Sequence, residues 1–185
     1  MAVSTLSRHV ILKQWFARFG STSSSSAPTI PSTKIFVMGF PGTNQNGPYD
    51  DLNSEKKYEG GIGSTHMLTV GGNEVLVHYY SKKGYKIFGL NPGLIKTNIR
   101  SNMYTGGFGK AMMEGLIGMF NITAEKYADY IVPTIFATDI DKHNGIHFNQ
   151  KGLTLIPSTK MSDDTYVNGF YNAMDDLVKK AKQGK

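Results

Sequence analysis

Two short apolar runs set what this chain can fold into. Lys34-Ile35-Phe36-Val37-Met38-Gly39 follows a Ser/Pro-rich stretch, and Lys86-Ile87-Phe88-Gly89-Leu90-Asn91 is stopped by Pro92-Gly93. Apolar runs of this length between turn residues read as buried strands. Between them the spacing predicts a helix over Thr65 to Lys82, with Leu68, Val75, Leu76 and Tyr79 on one side. Strands alternating with helices imply a parallel sheet, so the expected class is α/β. Gly145-Ile146-His147-Phe148 reads as a third, short strand. Thr123 caps a helix with Glu125 in its first turn, and Pro133 is expected to kink it. The final helix takes Ser162 as cap, Asp163 and Asp164 in the first turn, then Tyr166, Phe170, Met174, Leu177 and Ala181 at helical spacing.

Glycines mark the other notable places. Gly71-Gly72 lies inside the predicted middle helix at a cost of about 2 kcal/mol relative to alanines. A close helix–helix contact would explain it. Residues 40–63 are turn-rich, and residues 101–120, with Met103, Gly106, Gly107, Gly109, Met112, Met113 and Met119, read as a mobile flap over a pocket. Gly60-Gly61-Ile62-Gly63 follows no strand and reads as a turn.

At 185 residues the chain fits one domain. The expected division is a helix and Ser-rich loop over 1–33, a β/α core over 34–160 and a closing helix over 161–185. The absence of Cys excludes a disulfide scaffold, a Cys nucleophile and a Cys-ligated zinc site. No apolar stretch approaches the ~18 residues of a membrane span. The net charge of +6 raises the question of nucleic acid, but the bases are scattered and no nucleic-acid fold signature accompanies them. They read as a solvated surface. His9, His78, His143 and His147 are dispersed without metal-ligand spacing, so no metal is expected.

The N-terminus has two readings. No Asp or Glu precedes Asp50, and Arg8, His9, Lys13 and Arg18 with the Ser23–Ser26 run resemble a mitochondrial transit peptide. The competing reading, preferred here, is an internal helix of a cytoplasmic protein, with Leu6, Val10, Leu12, Trp15 and Phe19 buried in the body.

The segment Leu90-Asn91-Pro92-Gly93-Leu94-Ile95-Lys96-Thr97 resembles the Pro-Gly-x-x-x-Thr element of the short-chain dehydrogenase/reductase family. In that family it follows the sixth strand and lines the nicotinamide end of the cofactor. A Pro-Gly break at a strand's carboxyl end lets backbone approach a ligand, and open α/β sheets bind ligands there. Asp50-Asp51-Leu52-Asn53-Ser54-Glu55-Lys56-Lys57-Tyr58 is similar to an insert of the retinol-dehydrogenase-like branch, between its catalytic Ser and Tyr. Asn144 through Phe148 is similar to the family's last strand, Phe170 through Leu177 to its closing helix, and Leu6 through Leu12 to the helix before its fifth strand. The likeness points to a fungal subgroup.

The resemblance implies a partial Rossmann-like fold, the second half of a doubly wound parallel sheet with about three strands. It implies an NAD(P)H-dependent carbonyl or aldehyde reductase whose small-molecule substrate and cofactor meet at Asn91, Pro92, Gly93, Ile95 and Thr97. The family's Gly-rich turn after strand one and its ribose-binding acid are not in this sequence. Aligning Asn73 with a common Asn of the family puts Val70 at the catalytic Lys position and His66 at the Tyr position. Gly39 or Phe40 then stands where the Ser belongs. His66 is the remaining candidate for proton donor, since imidazoles titrate near neutrality; the alternative is an ordinary surface histidine. Tyr79 and Lys83 form a Tyr-x-x-x-Lys, but only nine positions before Pro92, too close for the family's geometry. A catalytically inactive binding or scaffold protein, or a remnant, is therefore the alternative to an enzyme. Half a parallel sheet would also leave an open apolar edge, for a second copy or a partner to cover.

Overall fold

The computed structural model describes residues 2–19, 33–44, 47–56, 64–93, 95–96 and 122–184. Thr97 and the Gly/Met-rich run at 101–120 lie outside them. A π-helical turn (Ala2–Leu6) leads into α1 (Ser7–Phe19), followed by β1 (Ile35–Met38), α2 (Ser64–Lys82) and β2 (Ile87–Leu90). Two short strands, β3 (Ile95–Lys96) and β4 (Ile122–Thr123), precede α3 (Ala124–Ile135). The chain ends with β5 (His147–Phe148), β6 (Thr154–Leu155) and α4 (Asp164–Gln183).

β1 and β2 run parallel, with Ile35 opposite Ile87 and Met38 opposite Leu90. β5 joins β2 in parallel and β6 turns back antiparallel, giving the order β1-β2-β5-β6. The class is α/β, a mostly parallel, partial Rossmann-like sheet flanked by helices. The fourth strand exceeds the three expected. Asn149 makes it possible: its Oδ1 accepts from Lys151 N and Leu153 N, closing a tight hairpin with Gly152 at φ +73°. β3 and β4 pair in a separate two-stranded sheet.

Alternation along the strands sends residues to two cores. Val37 and Ile87 pack with Leu12 of α1, Leu68, Val75 and Leu76 of α2, and Phe170 and Met174 of α4. Phe36, Phe88, Leu90 and Phe148 face the other way, onto Tyr127 and Ile131 of α3. Such two-sided burial explains why β2 is continuously apolar. β1 is the outermost strand: Ile35 N and Gly39 N donate to β2, so the Phe36 and Met38 amides point away from it.

The helix ends follow the sequence with one correction. Thr123 caps α3, its Oγ1 accepting from Lys126 N at 3.2 Å, and Pro133 sits in the last turn. Asp163, not Ser162, caps α4, accepting from Thr165 N and Tyr166 N. Ser162 is used up in a 3-10 turn, Thr159–Ser162. Gly71 and Gly72 are buried in α2, beside the place where Thr5 Oγ1 donates to Thr69 O. A second correction concerns α1. Thr5, His9 and Leu12 are buried and Phe16 packs on the core, but Trp15 and Phe19 are exposed, because the helical phase places them off the inward stripe. No described helix is long and apolar enough to cross a membrane.

Candidate functional site

Parallel strands deliver their exit loops to one end of the sheet, and here those loops are tied to one another. After β2, Asn91 N donates to Phe148 O at 2.7 Å and holds the turn against β5. The Asn91 side chain works in two directions. Its Nδ2 donates to Pro41 O at 3.0 Å, in the loop after β1, and its Oδ1 accepts from Gly93 N at 2.9 Å. Gly93 adopts φ +64°, and a Cβ there would crowd the side-chain amide of Gln150. Asn91, Pro92 and Gly93 thus form a fixed turn at the carboxyl end of β2, as expected, and Ile95 packs against the core beneath α3.

A second tie comes from α2. The Glu74 carboxylate is 1% exposed, and its Oε1 accepts from Ser158 N at 2.6 Å and Gly42 N at 3.4 Å. Its Oε2 accepts from Ser158 Oγ at 2.7 Å. Asn44 Oδ1 accepts from Thr159 N at 2.9 Å between the same two loops. Sequence reasoning missed this bracket. The signal was present: Glu74 is the one acid in the run Val70 to Val77, and a carboxylate inside an apolar helix needs donors.

Next to Glu74, Asn73 is buried with no partner for its Oδ1. It lies against Gly39, where a Cβ would sit 3.4 Å from the Asn73 Cβ. Gly39, one of the two residues at the family's Ser position, and Asn73, on which that alignment is anchored, are therefore neighbours in space. α2 begins at the carboxyl end of the sheet, since it leaves the loop after β1 and returns to the start of β2. His66 stands in its first turn, exposed, seven residues before Asn73 and so on nearly the same helical face. Val70, at the Lys position, is buried and apolar. Tyr79 and Lys83 sit at the opposite end of α2. Tyr79 stacks on Tyr171 at 3.6 Å between centroids and the Lys83 ammonium lies 4.8 Å from its ring, remote from the loops just described.

The loop after β1 also walls a cleft of about 540 Å³, lined by Gly47, Pro48, Tyr49, Asp50, Lys160 and Tyr166. That volume lies in the range of small-molecule sites. Tyr166 Oη donates to Gly47 O at 2.9 Å, and its phenol is pushed up to about 12, by burial first and then by the Glu74 charge. Tyr166 is therefore a neutral wall of the cleft. Among the described residues no three His, Asp or Glu side chains cluster to hold a metal ion.

The chain is similar to an uncharacterized oxidoreductase of Saccharomyces cerevisiae, with 40% identity over 185 residues. The match takes in 98% of this chain and 58% of that protein, so the chain spans little more than half of its relative. No protein-family model matches the chain, and no solved structure matches it.

Proposed function

We propose that this chain is the nicotinamide-facing second half of an oxidoreductase of the short-chain dehydrogenase/reductase kind, acting on the carbonyl of a small aldehyde or ketone. The observation that carries this reading is the Asn91–Gly93 turn, locked to Pro41 at the carboxyl end of the sheet with a positive-φ glycine at its tip. The name of the yeast relative supports it.

The residues present suit one end of a nicotinamide cofactor. Gly93 presents bare backbone that the flexible Gln150 amide covers, and the unpartnered Asn73 Oδ1 is an acceptor for a ligand N–H. The Gly-rich turn and the acid that hold the other end are not in this sequence, so this chain should hold the cofactor more weakly than a site with both ends. A reduced nicotinamide, when bound, supplies the hydride that with one proton turns a carbonyl into an alcohol. Asn91 fixes the loop, Ile95 supplies apolar wall, and His66 is the side chain at this end suited to hand over the proton. The cleft between Tyr49 and Tyr166, with the Lys160 ammonium at its rim, accommodates the body of the substrate.

Titration calorimetry and thermal shift of the purified chain with NADH and NADPH test this reading. Saturable stabilisation that weakens in Gly93→Val supports it. A folded, monodisperse chain that binds neither cofactor overturns it. The second reading, an inactive binding or scaffold protein, then stands, and it rests on Val70 and Gly39. A buried valine cannot lower the pKa of a neighbouring acid or hold a ribose, and a glycine has no hydroxyl to place.

A further inference from the structure

The cleft beside the loop after β1 is walled by rings. Tyr49 lies on α4 at Gly169, where a Cβ would stand 2.6 Å from the Tyr49 Cζ, so the glycine makes room for the ring. The Tyr166 ring meets it at 5.7 Å between centroids and 66° between planes, and Pro48 adds a third apolar surface. Two rings set at such an angle let a flat ligand stack on one and meet the edge of the other. The Tyr166 proton is spent on Gly47 O at 2.9 Å, so this wall orients by shape more than by hydrogen bonding.

Charge enters at the rim. The Lys160 ammonium is held over the Tyr166 ring, 5.6 Å from its centre, where it keeps its N–H donors. The acids nearest to it in sequence are engaged elsewhere. Asp163 Oδ1 accepts from Thr165 N and Tyr166 N, and Asp164 pairs with Lys82. The cleft's own acid, Asp50, has its Oδ2 3.8 Å from Lys56 Nζ. Lys160 therefore has no carboxylate partner among the described residues.

We propose that the carbonyl substrate is an acid, with a flat, ring-sized apolar body for the two tyrosines and a carboxylate that Lys160 receives. The inference rests on the oxidoreductase reading above and names its substrate class. The carboxylate is an anchor. It takes no part in the reduction, whose hydride and proton go to the carbonyl and leave a hydroxy acid. A neutral aldehyde or ketone of the same shape would fill the same walls and leave Lys160 to water, so discrimination between the two falls on one charge. Lys160 is thus a specificity-determining residue and Tyr49 a wall common to both kinds of ligand.

The probes are 4-acetylbenzoate and its neutral methyl ester, and ligand-observed NMR with the purified chain, without cofactor, gives the two affinities. The acid should bind roughly fivefold tighter, the gain of one exposed ion pair, and about 0.5 M salt should erase most of the difference. Lys160→Gln should remove the preference and leave the ester unchanged. Asp50→Asn should raise the acid's affinity about twofold by taking a like charge from the cleft. Tyr49→Leu should weaken both ligands alike, by about fivefold. Lys160 and Asp50 are exposed, so their variants should keep the parent melting temperature. Equal binding of acid and ester, binding of neither, or a preference that survives Lys160→Gln overturns the inference, even in a chain that NADH stabilises. A chain that prefers the acid through Lys160 but shows no NADH-induced stabilisation overturns the oxidoreductase reading instead, and the acid is then a ligand and not a substrate.

Discussion

Gly89 and His147 occupy one space between them. They are register partners across β2 and β5, and a Cβ on Gly89 would fall inside the His147 ring, with Cγ only 2.8 Å away. His147 is 1% exposed and held in the sheet, so the ring has nowhere to go. Gly89→Ala should therefore destabilise the fold by about 3 kcal/mol, the upper part of the usual range for overpacking. Urea unfolding measures it. The control is the same substitution in a His147→Ala background, where the penalty should drop below about 1 kcal/mol. Similar penalties in both backgrounds would mean that the ring is not the obstacle.

The same histidine makes the fold acid-sensitive. Burial, and then the charge of His78, hold the His147 imidazole down at about 4 against an ordinary 6.5. Above the ordinary value both folded and unfolded chains are neutral at this site. As pH falls from 6.5 towards 4, the unfolded chain takes up a proton that the folded chain refuses, so stability is lost. Below 4 both take it up and the loss levels off, at about 3 kcal/mol. His78, between Lys82 and Asp164, and His9, beside Asp175, are lowered by burial and act in the same direction. Unfolding free energies at pH 7, 5.5 and 4 should fall steadily, and His147→Gln should flatten the slope by about 1.4 kcal/mol per pH unit. A parent profile already flat over this range would contradict the burial of a neutral ring.

Glu74 separates charge from hydrogen bonding. Glu74→Leu strands the Ser158 N–H, the Ser158 hydroxyl and the Gly42 N–H, and should cost about 3 kcal/mol or more. Glu74→Gln keeps one acceptor oxygen and offers an N–H to the Ser158 hydroxyl, so about 1 kcal/mol is expected. Hydrogen exchange should show the loops at 41–44 and 156–159 opening together in Glu74→Leu. If they open independently, the carboxylate is not what joins them.

What the sequence revealed divides along contact range. β1, β2 and α4 were legible because their signals are local: apolar runs between turn residues, and Tyr166, Phe170 and Met174 at helical spacing, all buried. The carboxyl-end turn at Asn91–Gly93 was legible for the same reason. The Glu74 bracket, the clash-free fit of Gly89 on His147 and the antiparallel β6 were not, since each joins residues far apart or rests on a strand of two residues. Trp15 and Phe19 misled because an amphipathic spacing shows that a stripe exists without saying which of two apolar stripes faces inward.

Gly93 is where stability and the proposed function should part. At φ +64° any side chain costs about 1–2 kcal/mol, and that cost belongs to the backbone. The nearest obstacle to a Cβ is the amide end of Gln150, with Cδ at 3.2 Å, a flexible group that can swing aside. Gly93→Ala should then lose about 1–2 kcal/mol equally in the parent and in a Gln150→Ala background. Cofactor binding should respond differently. If the nicotinamide takes the place of the Gln150 amide across this turn, even a methyl group blocks it, and Gly93→Ala should abolish the NADH-induced rise in melting temperature while Gln150→Ala keeps most of it. A Gly93→Ala protein that loses stability but retains the full cofactor effect would move the nicotinamide away from this turn.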